Sequence, residues 1–193
     1  PALARPDPKQ KLLWYDIREL GLEGQGWANT KAPFDRLPAS AEKQVRPPVW
    51  NLSRHSAGLS VRFRTDAPII AARWTLTSAN LAMPHMPATG VSGLDLSARP
   101  AIAAQATGKP NRWQWLATGR PSKFPANEAI LVRGLPLADR EYSLYLPLYN
   151  GVQAVEIGIS ADHALFKLPR AAGKRKPIVF YGTSITQGGC SSR

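Results

Sequence analysis

From Gly58 onward, apolar and polar residues alternate with a period of two, the pattern of a strand whose side chains face core and water in turn. In GLSVRFRT, Leu59, Val61 and Phe63 alternate with Ser60, Arg62 and Arg64; in IIAARWTL, Ile70, Ala72, Trp74 and Leu76 oppose Ala71, Arg73 and Thr75. Asp66, Ala67 and Pro68 supply the turn between them. Further strands are predicted over 112–118, 128–133, 141–146 and 152–160, separated by the turn-forming stretches TGKPN, GRPSKFPAN, GLPLAD and LYNG. Before Pro48 there is little periodicity: WYDIREL, Trp14 to Leu20, is a short ordered stretch between Pro-rich and Gly-rich flanks, and predicts an extended arm packed on the following domain. Several short strands without a long amphipathic helix predict a mainly β fold, a jelly-roll-like antiparallel β-sandwich over residues 1–172.

The pattern changes near the end. LPRAAGKRK, Leu168 to Lys176, combines Pro, Gly and a charge run and predicts a solvated linker. Ile178, Val179, Phe180 and Tyr181 are then apolar without alternation, as in a strand covered on both faces within a parallel sheet. Residues 173–193 are therefore expected to be a linker and the first strand of an incomplete α/β domain. Alone they cannot form a sheet, so Ile178 to Tyr181 should find a surrogate partner or stay exposed.

Open α/β sheets carry their chemistry just beyond the carboxyl ends of strands, where Gly182 to Gly188 stand. A phosphate-binding P-loop requires four residues between its glycines and then a lysine; here five intervene and Gly189 and Cys190 follow. A dinucleotide fingerprint requires glycine at 184, and the elbow of the α/β-hydrolases requires it at 186, where Thr186 stands. What remains is Gly-x-Ser-x-x-x-Gly after a buried strand.

This spacing resembles the first block of the SGNH, or GDSL, hydrolases, with Thr183 at the usual Asp. IVFYGTSITQGG is similar to the carbohydrate-esterase subgroup of the SsfX3-like kind, whose N-terminal module carries a G-x-D-L-Y signature; WYDIRELGLEGQGW, APFDRLPA, VRPPVWNLSRHSAGLSVRF, MPHMPATGVSGLDL and YLPLYNGV extend the resemblance over nearly the whole chain. The signature itself departs, since GLDLS puts Ser97 at the usual Tyr. The resemblance implies a flavodoxin-like hydrolase domain in which Ser184 attacks an ester carbonyl and its own N–H is one donor to the oxyanion. It implies further donors from a glycine and an asparagine in later loops, and a base from a D-x-x-H segment near the far C-terminus. None of these later blocks occurs in the chain, so the parent protein is expected to be a serine esterase deacetylating carbohydrate or other small esters, and this chain alone to be catalytically silent. The alternative is a non-catalytic carbohydrate-binding β-sandwich.

The histidines all precede Ser184. His55 is expected to be a polar residue before a strand and His163 to sit in a turn beside Asp162. His85 lies in the long, Pro-interrupted loop LAMPHMPATG and is expected to line the substrate cleft. Six tryptophans precede the linker; aromatic faces stack on sugar rings, but at least half of the six are expected in the core, Trp74 among them, with Trp113 and Trp115 sharing one strand face.

Composition adds limits. With 44% hydrophobic and 20% charged residues the chain can bury enough apolar surface to offset chain entropy, so general disorder is excluded. The net charge of +12 suggests polyanion binding, but the basic residues are dispersed and the tight run Lys174, Arg175 and Lys176 falls in the linker, so no nucleic-acid partner is expected. A single cysteine, Cys190, excludes an internal disulfide and a Cys-rich metal site, and no cofactor or metal is expected. No apolar run approaches the ~20 residues of a membrane span. The chain begins at Pro1 rather than Met, so a segment upstream, with room for an export signal, is expected, along with a periplasmic or secreted location.

Overall fold

Alternation in the sequence becomes a sandwich because the inward residues of two sheets close on one another. The computed structural model describes residues 3–7, 9–102, 111–168 and 178–191; the expected linker with Lys174, Arg175 and Lys176, the expected boundary at 172/173 and most of the TGKPN turn lie outside them. One sheet runs β1 (Arg5–Asp7), β2 (Leu12–Asp16), β10 (Val152–Ser160), β5 (Ile70–Leu76), β8 (Ala126–Val132). The other runs β11 (Phe166–Lys167), β4 (Ser60–Thr65), β9 (Arg140–Tyr145), β6 (Leu94–Ala98), β7 (Gln114–Gly119), with β3 (Leu22–Glu23) also on β4. All pairings are antiparallel.

Val61 and Phe63 of β4, Leu94 and Leu96 of β6 and Tyr142 and Leu144 of β9 meet Ile70, Ala72, Trp74 and Leu76 of β5 and Val155, Ile157 and Ile159 of β10 in one buried core. Phe63 stacks on Tyr142 with ring centroids 5.2 Å apart. Complete burial of such side chains contributes about 1.5–3 kcal/mol each, which makes this interface the source of the domain's stability.

The N-terminal arm is woven in more deeply than its sequence suggested. β2 is hydrogen-bonded between β1 and β10, with Tyr15 opposite Ile157 and Leu13 opposite Ile159. Its pattern lacks alternation because both faces are covered: Tyr15 enters the main core, whereas Trp14 packs outside the sheet with Leu12 and Ala71. The Arg73 guanidinium lies 4.4 Å from the centre of the Trp14 ring. Asp16 then caps the short helix α1 (Ile17–Leu20) by accepting the Arg18 N–H at 2.9 Å, and Ile17 and Leu20 complete the core.

Two further short helices follow, α2 (Pro47–Ser53), with proline in its first turn, before β4 and α3 (Ala88–Ser92) between β5 and β6. Trp14, Trp50 and Trp74 are buried, whereas Trp27 and Trp115 are exposed. Ile178, Val179, Phe180 and Tyr181 are exposed and form no strand, the second of the two outcomes open to them. Among the described residues, no strand pairs with them. Among the described residues, no helix is long and apolar enough to cross a membrane.

Candidate active site

The Ser184 turn is built by its own backbone. Thr183 is extended and Ser184 begins α4 (Ser184–Gln187), a single turn closed by the Gln187 N–H on Thr183 O at 3.1 Å. Gly188 ends it in the left-handed region at φ 99°, which glycine reaches without the Cβ penalty of other residues. The Gly189 N–H then donates to Ser184 O at 2.7 Å. Ser184 itself is exposed, with its side chain at the start of the turn.

A seat on the sandwich receives this turn. Among residues 178–191, Gln187 is the one buried residue, at 9% exposure, while Ile185 two positions earlier is 87% exposed. Gln187 Nε2 donates to Leu148 O at 3.0 Å and lies 3.2 Å from His55 Nδ1; its Oε1 accepts from Arg36 Nη2 at 3.5 Å. Arg36 is fixed in turn by donating to His55 O at 3.0 Å and to Leu52 O at 2.6 Å. The Tyr149 hydroxyl donates to Ser184 O at 3.2 Å, and the Cys190 thiol lies 3.8 Å from His85 O. Beneath these contacts Ala57, Met86, Val91 and Leu148 form a small apolar cluster, separate from the main core.

Burial, with the Arg36 guanidinium adding to it, holds the His55 imidazole down at about 4. A neutral ring leaves Nδ1 able to accept the Gln187 amide proton. Burial likewise lowers the Arg36 guanidinium and raises the Tyr149 phenol, which stays a neutral donor.

The signature segment supports the seat from behind. Gly93 follows α3 so closely that a Cβ there would stand 2.3 Å from Thr89 O. Leu94 and Leu96 point into the core, and buried Asp95 accepts from Thr118 Oγ1 at 2.6 Å and Trp115 Nε1 at 3.3 Å. The backbone of α3 accepts the Leu148 and Tyr149 N–H groups through Gly90 O and Val91 O, at 3.3 and 3.0 Å. Fully buried Asn150 ties Ser78 and Ser92 together, accepting the Ser78 N–H at 3.1 Å and donating to Ser78 O at 2.9 Å and Ser92 Oγ at 3.0 Å. Ser97, at the usual Tyr, opposes Trp115 beside a local irregularity in the β6–β7 ladder and Ser143 in the regular β6–β9 ladder.

Cys190, six residues after Ser184, meets the backbone of His85, which is exposed at the tip of a tight turn closed between Met83 and Met86. Among the described residues, none of the three histidines hydrogen-bonds to Ser184. His55 is not merely a polar residue before a strand but part of the seat, because the Ser184 turn covers it. His163 sits in the turn after β10, beside Asp162, and pairs across to Asp66 of the β4–β5 turn at 2.9 Å. Sequence reasoning missed Arg36, His55, Tyr149 and Gln187 as a group. The stretches APFDRLPA, VRPPVWNLSRHSAGLSVRF, YLPLYNGV and IVFYGTSITQGG hold all four, but no periodicity links them.

The family described as "GxDLY: N-terminus of Esterase_SGNH_hydro-type" matches residues 12–165. Among solved structures, the chain is similar to one described as a GDSL-like lipase from Bacteroides ovatus ATCC 8483, with 29% identity and a TM-score of 0.71 over 81% of this chain and 43% of that one. It is similar as well to the salicylyl-acyltransferase SsfX3 from a tetracycline biosynthetic pathway, with 20% identity and a TM-score of 0.46 over 89% of this chain and 42% of that one. The chain therefore spans less than half the length of either structure. No curated protein matches it.

Proposed function

Because the chain belongs to the family of GxDLY N-terminal modules of SGNH-type esterases, we propose that it is the part of a serine esterase that presents the nucleophile, Ser184, to an acylated carbohydrate or another small ester. The observation that carries this reading is the exposed Ser184 at the start of a turn seated on the module through Gln187 and Tyr149. In the reaction, Ser184 Oγ adds to the ester carbonyl as its proton passes to a base, and the carbonyl electrons collect on oxygen beside the Ser184 N–H. The C–O bond to the alcohol then breaks, the alcohol regains the proton, and water repeats the sequence on the acyl-serine. His85, exposed beside the turn, lines the substrate cleft. The base comes from a hydrolase domain outside these residues, so the 193-residue chain by itself is silent.

The test is hydrolysis of p-nitrophenyl acetate by the polypeptide joining this chain to its hydrolase domain. Ser184→Ala should lower kcat by about 10⁴-fold or more; undiminished turnover overturns the nucleophile assignment. Turnover by the 193-residue chain that Ser184→Ala abolishes would overturn its silence and keep the nucleophile.

A second reading, a carbohydrate-binding sandwich surface, is favoured by the exposed ring of Trp115. Calorimetric titration with acetylated oligosaccharides should then give a signal that Trp115→Ala removes, and a flat titration of the unsubstituted chain overturns it.

A further inference from the structure

Segment 178–191 docks with its polarity inverted. Its large apolar side chains, Ile178 to Tyr181 and Ile185, stay in water, while a glutamine enters the protein. Hydrophobic burial does not hold this segment down. What holds it is directional: a Gln187 amide that donates to Leu148 O and meets the His55 Nδ1 lone pair, with its oxygen towards Arg36, and a Tyr149 hydroxyl on Ser184 O. Such a set fixes orientation better than it supplies energy, because each bond fails within a few tenths of an ångström or tens of degrees of its optimum. Gln187 lies three residues after Ser184 and so one turn along the same helical face.

We infer that the sandwich sets the attack geometry of Ser184 through this polar seat, with Gln187 as a positioning residue acting through Leu148 O, His55 and Arg36. The inference rests on Ser184 being the nucleophile, and it assigns the polar seat of the N-terminal module a role in the rate of the chemical step. Loss of the Gln187 amide leaves the turn intact, because its internal bonds are backbone bonds, but leaves it held on the module, among the described residues, by the Tyr149 hydroxyl and the Cys190 thiol alone, so that its orientation loosens.

Two measurements test this. In the 193-residue chain, Gln187→Met, which keeps length and volume, should speed amide exchange at Gly188 and Gly189 by about tenfold or more without lowering the melting temperature of the sandwich. Unchanged exchange overturns the seat. In the complete esterase, Gln187→Met should lower kcat on p-nitrophenyl acetate by about 10- to 100-fold with KM within about twofold. His55→Phe should do the same, and the double variant should be no worse than either single one beyond a factor of about two, since both remove one interaction. A raised KM with unchanged kcat, or losses that multiply in the double variant, overturns the positioning role. Full turnover in Ser184→Ala overturns the nucleophile assignment and this inference with it; an inert Ser184→Ala enzyme beside an unimpaired Gln187→Met enzyme overturns this inference alone.

Discussion

Phe63 and Phe180 are the same residue in two regions built on opposite rules. Phe63 is sealed between the sheets against Tyr142, whereas Phe180 is 81% exposed on a segment held by a glutamine and a tyrosine hydroxyl. The sandwich is stabilised by apolar area withdrawn from water, which is strong and indifferent to direction. The Ser184 segment is held by hydrogen bonds, which contribute little net energy but specify an arrangement. A fold can therefore be robust while the placement of its reactive serine remains sensitive to one amide.

The sharpest way to break this comparison is to substitute both phenylalanines. Phe63→Ala should destabilise the sandwich by about 3–5 kcal/mol, read from urea unfolding. Equal losses at Phe180 would show that the segment is part of the core after all. Within the sandwich module Asn150 is polar yet fully buried, and Asn150→Ala leaves the Ser78 N–H and carbonyl without that partner. A loss of about 1–3 kcal/mol is expected for each group left unpaired, again from denaturant midpoints.

The two regions should also separate by pH. Burial and Arg36 hold the folded value of His55 at about 4, below its ordinary 6.5; undocking uncovers the ring and moves it back towards the ordinary value, so the docked form binds fewer protons between the two. Docking should be fully present above pH 6.5 and be lost progressively as pH falls towards 4. Protonated Nδ1 no longer accepts from Gln187, and the new charge faces Arg36. NMR shifts of the Gly188 and Gly189 amides should follow this titration while those of β5 and β10 stay fixed; a common transition of all four would sink it. The smallest effect is expected at exposed aromatics: Phe180→Ala and Trp115→Ala should each change stability by less than about 0.5 kcal/mol, checked by thermal melting.

How much was legible follows the same division. Leu59, Val61 and Phe63, and Ile70, Ala72, Trp74 and Leu76, announce their strands because alternation is a local consequence of a half-buried sheet. β1 and β2 do not, because Arg5–Asp7 holds a proline and Leu12–Asp16 is covered on both sides, so their pairing depends on β10, some 140 residues away. The Ser184 turn was legible because its backbone needs small residues at set places. Its seat was not: Gln187 and His55 lie 132 positions apart, and nothing in a lone glutamine distinguishes a buried amide from a solvated one.

One further consequence follows from where β2 lies. It is threaded between β1 and β10, and β10 is flanked by β5 on its other side. Removing residues through Asp16 would therefore not trim a loose arm. It would open the Glu156–Ser160 half of β10 along one side, with a row of free peptide groups that another strand could add to. Dissection of this protein from its front thus turns an inner strand edge into an adhesive one.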